Sequence, residues 1–236
     1  MSRREIGRIA LVALFVTALV TAQLTASKVL AIPLPTGLPV VGATVFLPGA
    51  ALAYALTFFA SDCYAELYGR RETQVLVNVG LAMNFVLLAL VWSTILAPAA
   101  PTSVDPDQFA TVLGSSTNIV VGSLLAYVVS QNWDVLVFHA LRERTNGRYL
   151  WLRNIGSTAT SQALDTVIFV SVAFLVAPTL LGTGQPLDVA VVLALIVGQY
   201  LLKLLIALID TPFVYAVVRF VDDDRVAGST NPWAVE

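Results

Sequence analysis

Apolar runs longer than a bilayer core alternate along the chain with two kinds of break. The runs cover Ile6 to Ile32, Val41 to Leu67, Val75 to Ala97, Asn118 to Leu141, Ile155 to Ala177 and Val189 to Phe220. Each exceeds the roughly 20 residues that an α-helix needs to cross about 30 Å of hydrocarbon. The pattern predicts an all-α integral membrane protein, a bundle of six transmembrane helices, because a helix satisfies its own backbone polar groups in lipid. Residues 1–220 form a single membrane domain on this reading, and 221–236, with Asp222, Asp223 and Asp224, a short acidic tail.

Breaks of the first kind are rich in proline and glycine: Pro33, Pro35 and Gly37; Pro98, Pro101 and Pro106; Gly182, Gly184 and Pro186. Those of the second kind are charged, at Arg70, Arg71 and Glu72 and again from Arg142 to Arg153. Because the two kinds alternate, every arginine falls at one end of the bundle, while the loops of the other end hold Asp105, Asp107 and Asp188 but no Lys or Arg. The positive-inside rule then places the arginine end, and with it both termini, in the cytoplasm. Trp133 and Trp151 flank the basic loop, as aromatic residues do at a membrane interface.

Composition sharpens the class. Of 236 residues, 58% are hydrophobic and only 12% charged, against roughly 25% charged in a soluble domain. Mean hydropathy is +0.83. The chain therefore belongs in a lipid bilayer, as a multi-pass protein of the cell membrane. Six spans leave no room for an ATPase module. No basic patch suits nucleic acid, and the lone Cys63 excludes an internal disulfide or a multi-cysteine metal site. The Met-Ser-Arg-Arg-Glu start resembles a signal peptide, but the apolar run behind it is too long for one and reads as the first span.

Charges inside the spans are the informative anomaly. Lys28, Asp62, Glu66, Asp134, Asp165, Lys203 and Asp210 all lie within or near apolar runs. Each such group costs about 2.5 to 3.5 kcal/mol at a helix centre on insertion scales, so several together point to the handling of a small solute. Some have ordinary explanations. Glu66 stands four residues before Arg70 and could pair with it at the interface. Asp210 precedes Thr211-Pro212, where a kink frees backbone groups, and Lys28 is near enough to a span end to snorkel. Lys203 lies too deep for that.

An internal echo carries more. Ser130-Gln131-Asn132-Trp133-Asp134 and Ser161-Gln162-Ala163-Leu164-Asp165 share the pattern Ser-Gln-x-x-Asp, each followed by an aliphatic pair and a Phe, on consecutive antiparallel helices. Gln and Asp three residues apart share a helix face, so each copy presents an amide beside a carboxylate. Counted from the cytoplasmic arginines, Gln131 and Gln162 lie roughly 14 to 17 Å deep, and Asp62, Asp134 and Asp165 roughly 12 to 18 Å. That layer is near the midplane, where transporter sites lie. A carboxylate accepting from adjacent N–H groups, with a Gln that donates and accepts, suits the edge of a guanine-like base. Phe138, Phe169, Tyr127 or Tyr200 could supply its stacking wall.

Taken together, Asp62-Cys-Tyr-Ala-Glu66-Leu-Tyr68-Gly69-Arg70, Ser130-Gln131-Asn-Trp-Asp134, and Trp151-Leu-Arg153-Asn154-Ile-Gly-Ser157-Thr158 leading to Gln162 and Asp165-Thr-Val-Ile-Phe169 resemble the queuosine precursor transporter family. Lys28, Lys203 and Asp210-Thr-Pro212 look like further family positions; many members carry Asn on the first helix where this chain has Gln23. The resemblance implies a six-helix, ATP-independent uptake protein of the vitamin uptake transporter group, carrying a 7-deazaguanine base such as 7-cyano-7-deazaguanine. It implies no cofactor and no metal, and leaves room for a homodimer. By it the site residues are Asp62, Glu66, Gln131, Asp134, Asn154, Gln162, Asp165 and Lys203. Two other readings stand beside it. One is a vitamin-binding membrane subunit of an energy-coupling-factor transporter. The other is an intramembrane metal-dependent enzyme, for which Asp62 to Glu66 is the nearest match to an acidic ligand spacing.

Overall fold

The structure, a computed structural model, describes the backbone of residues 3–38, 42–146 and 150–228, and side chains for the same residues except 36–38, 42, 150, 151, 153, 154 and 222–228. Helix α1 (Arg3–Thr25) is followed by strands β1 (Val29–Leu38) and β2 (Gly42–Pro48), then by α2 (Ala51–Tyr68) and α3 (Arg70–Ile95). A short α4 (Pro106–Gly114) leads into α5 (Ser116–Arg144). After α6 (Leu150–Ser171) comes a π-helical segment, Val172–Val176, continued by α7 (Ala177–Leu181), and the chain closes with α8 (Val189–Gly228).

Five stretches are long and apolar enough to cross a membrane: Arg3–Thr25, Arg70–Ile95, Pro106–Arg144, Ile155–Leu181 and Val189–Val221. Helix α2 has 18 residues, about 27 Å at 1.5 Å per residue, and carries Asp62 and Glu66; it is not among the five. It packs between α1 and α8 through Ala53, Ala60, Cys63, Tyr64 and Leu67, while Asp62 and Glu66 remain exposed.

The hairpin is the departure from an all-helical reading. The apolar run Ile6 to Ile32 ends inside it, and residues 42–48 of the run Val41 to Leu67 form its second strand: Val29 pairs with Pro48, Ala31 with Phe46 and Pro33 with Thr44, antiparallel. Pro33 and Pro35 have no N–H and disfavour helix in the residues before them, whereas Val29, Ile32 and Val45 are β-branched and favour extended backbone. The hairpin also packs on α8. An added Cβ at Gly198 would run into the carbonyl oxygen of Phe46, so glycine there permits direct contact between strand and helix backbones.

Two cores hold the helices together. One joins Ala22, Ala53, Ile119, Phe169, Ala173 and Leu195, so that α1, α2, α5, α6 and α8 meet around small and aromatic residues. The other, nearer the arginine end, gathers Phe15, Ala60, Cys63, Tyr64, Leu67 and Leu76. That end is also pinned by polar contacts. Arg4 donates to the Leu67 carbonyl at 2.7 Å, and Arg8 reaches both Tyr64 Oη at 3.1 Å and Glu72 at 3.0 Å. Helices α5 and α6 make the closest pair; at Gly122 an added Cβ would lie 2.9 Å from Ala173 Cβ.

Candidate solute-binding cavity

The two Ser-Gln-x-x-Asp copies meet across the α5–α6 pair in an unexpected way. Ser130 Oγ donates to Asp165 Oδ1 at 3.3 Å, and Ser161 Oγ donates to Asp134 Oδ1 at 3.2 Å. The serine of each copy thus holds the aspartate of the other, an arrangement with local two-fold character that follows from equal spacing on antiparallel helices. Both serines are buried and both aspartates half-buried, so each carboxylate surrenders little hydration and gains a donor.

Symmetry ends at Lys203. Its Nζ lies 2.7 Å from Asp165 Oδ2, with side-chain exposures of 13% and 27%. Asp165 is therefore held at both oxygens, by Ser130 and by Lys203, and the two charges neutralise each other inside the bundle. Asp134 has no such cation among the described residues.

Next to this pair a cavity of about 570 Å³ opens between α2, α6 and α8. Asp62 and Phe58 enter from α2, Thr158 and Gln162 from α6, and Tyr200, Lys203 and Asp210 from α8. Asp62 stands four residues after Phe58, and Lys203 three after Tyr200, so each helix presents a polar and an aromatic group on one face. Tyr200 Oη also lies 3.5 Å from the Ala159 carbonyl oxygen, at the limit of a hydrogen bond. The volume falls within the range of small-molecule sites, which are mostly apolar with a few placed polar groups. A smaller recess of about 290 Å³ continues from Asp62 and Asp210 to Glu66.

Of the residues expected from the sequence, Asp62, Gln162 and Lys203 line the cavity, and Asp165 touches it through Lys203. Glu66 is exposed in the neighbouring recess and makes no ion pair with Arg70 or Arg71 among the described residues. Gln131 is exposed and lies outside the cavity, as does Asp134, which is spent on Ser161. The side chain of Asn154 lies outside the described residues. Phe58, Thr158, Tyr200 and Asp210 line it too, among apolar residues of α6 and α8. Asp210 is the one a sequence signal could have kept: an acid before Thr-Pro in a span, here with Oδ2 buried and without a partner. No group of three His, Cys, Asp or Glu residues capable of holding a metal occurs among the described residues.

Comparison with known proteins agrees with this architecture. No solved structure matches the chain. Residues 48–217 match the family described as "Putative vitamin uptake transporter". A Bacillus subtilis (strain 168) protein named "Probable queuosine precursor transporter" is 36% identical over 173 residues, 73% of this chain and 72% of that one. The matched region includes all three cavity-forming helices and the hairpin's end, and with five apolar helices of spanning length it makes this a multi-pass membrane protein that belongs to the vitamin uptake transporter family.

Proposed function

We propose that the chain imports a 7-deazaguanine base, 7-cyano-7-deazaguanine or a close analogue, as a queuosine precursor, without ATP hydrolysis, and binds it in the cavity between α2, α6 and α8. The observation that carries the reading is the chemistry of that lining. Asp62 and Asp210 are acceptors for the N–H groups of an amino-pyrimidinone edge, Gln162 both donates and accepts, and Phe58 and Tyr200 are aromatic walls at helical spacing from the polar groups. The kinship with a protein named as a queuosine precursor transporter supports the same class of solute.

Lys203 has two tasks on this reading. It offsets Asp165, and it faces the cavity with donors for a carbonyl oxygen of the base. Asp134, Ser130 and Ser161 hold α5 against α6 outside the cavity. Glu66 and Gln131 are then peripheral. With the arginine end in the cytoplasm and α2 counted as the sixth span, both termini face inward, and the cavity lies from the midplane toward the cytoplasmic side.

Uptake of labelled 7-cyano-7-deazaguanine into cells unable to synthesise it, with and without this chain, tests the function. Accumulation only with the chain is the expected result; equal uptake in both refutes it. Proteoliposomes holding the purified chain alone separate this reading from that of an energy-coupling-factor subunit, which would need an ATPase and a coupling protein to move the solute.

A further inference from the structure

A second recess, of about 460 Å³, lies at the end of the bundle away from the arginines, between the start of α5, the π-helical segment and the loop after α7. Exposed Lys28 and Thr111 border it, and buried Ile119, Ala173 and Phe174 close its depth. The Lys28 ammonium has no ion-pair partner among the described residues. The walls are fixed rather than loose. Thr183 Oγ1 donates to Asn118 Oδ1, Asn118 Nδ2 donates back to the Thr183 carbonyl at 3.3 Å, and the Leu187 N–H donates to the Phe174 carbonyl at 2.9 Å.

The two recesses are joined by continuous helix faces. On α6 and the π-helical segment that continues it, Gln162, Thr166, Phe169 and Ala173 recur at four- and three-residue spacing, running from one recess to the other. On α8, Lys203, Gln199 and Leu195 follow at four-residue spacing, and on α2 Phe58 is followed by Tyr54. Along these faces aromatic rings pack on one another. Tyr54 and Phe169 stand edge to face at 6.1 Å between centroids, and Phe169 and Phe174 likewise at 6.1 Å. On α8, four residues before Lys203, Gln199 is 5% exposed, and its Oε1 has no hydrogen-bond partner. A buried acceptor left unsatisfied costs stability and remains free to accept from a donor-bearing solute.

We propose that the second recess is the outer vestibule of the same transport path, that the Tyr54, Phe169 and Phe174 stack is the seal closing it in this state, and that Gln199 is the hydrogen-bonding step between the two cavities. The proposal rests on the first cavity being the solute site. The solute is the same planar, N–H-bearing heterocycle, met first by Lys28 and the polar rim. Phe174 lies within the π-helical segment Val172–Val176, a wider turn that occurs at functional sites and lets the residues it carries shift against the flanking helix.

Single cysteines in the full-length chain, with Cys63 replaced by Ala, test this. Thr111→Cys should react from outside intact cells with a membrane-impermeant thiol reagent, and saturating 7-cyano-7-deazaguanine should slow that reaction. Ala159→Cys, beside the inner cavity, should react only slowly from outside. Adding Phe174→Ala should raise its outside reactivity about tenfold, as when a minor open state grows from about 1% to about 10%. Phe174→Leu, which preserves more of the packing, gives the same comparison if the alanine variant does not reach the membrane. Reactivity of Thr111→Cys that ignores the solute, or Ala159→Cys that stays equally slow in both Phe174 variants, overturns the proposal. Uptake by the unmodified chain is scored in the same cells: intact uptake without protection counts against the vestibule alone, whereas absent uptake counts against the function itself.

Discussion

Breaking the ion pair between Lys203 and Asp165 should destabilise the bundle and stop transport for separable reasons. Lys203→Met keeps the length of the side chain and removes the ammonium, leaving Asp165 with only Ser130 Oγ, at 3.3 Å. Stripping one partner from a fully buried pair costs about 3–5 kcal/mol, and an exposed pair is worth about 0–1 kcal/mol. With 27% of its side chain exposed, Asp165 recovers part of its hydration, so the expected loss is about 2 kcal/mol. Asp165→Asn should cost less, since its amide oxygen still accepts from Lys203. The double variant should recover part of the Lys203→Met loss because no unpaired charge remains. Unfolding of the purified proteins in denaturing detergent mixtures gives the four stabilities of this cycle. A coupling energy below about 0.5 kcal/mol would refute the placement of the pair inside the bundle. Uptake separates the second effect: Lys203→Met should transport poorly even at temperatures where it remains folded.

Other perturbations follow from the same geometry. Ser161→Ala removes the donor to Asp134 and should cost about 0.5–1.5 kcal/mol in the same unfolding assay, while the KM for uptake stays unchanged because neither residue lines the cavity. Gln162→Ala should do the reverse, raising KM about tenfold through loss of one hydrogen-bonding side chain, with the amount of folded protein in the membrane unaltered. Gly198→Val should sharply reduce folded protein, since its side chain would displace the β2 backbone from α8; overpacking of this kind costs about 1–3 kcal/mol or more. An epitope placed between Pro101 and Asp107 should be accessible on intact cells, and access only after permeabilisation would reverse the proposed orientation.

Five of the six expected spans were legible because lipid imposes a simple demand: about 20 apolar residues with an internally satisfied backbone. Arg3, Arg70 and Arg142 marked one end of the bundle by charge alone. The hairpin from Val29 to Pro48 was not legible, because its strands are as apolar as the helices beside them; Pro33 and Pro35 mark a helix stop, and the pairing of Ala31 with Phe46 and the seat on Gly198 make the extended backbone a hairpin. For the same reason α2 begins at Ala51 and not at Val41.

The repeated Ser-Gln-x-x-Asp divides the two kinds of knowledge most clearly. Sequence by itself determined that two serines, two glutamines and two aspartates stand at matching heights on neighbouring antiparallel helices, since helical rise and loop position fix depth. It also determined that Asp62 and Lys203 share their membrane with them at a cost that demands compensation. Only the tertiary structure decided which side chains face each other. Rotation of α5 and α6 about their axes turns Ser130 to Asp165 and Ser161 to Asp134. The approach of α8 then gives Lys203 to one aspartate and not to the other. Depth is a property of position along a helix, which the chain encodes locally, whereas facing is a property of how helices pack, settled by contacts such as Gly122 against Ala173 that lie far apart in sequence.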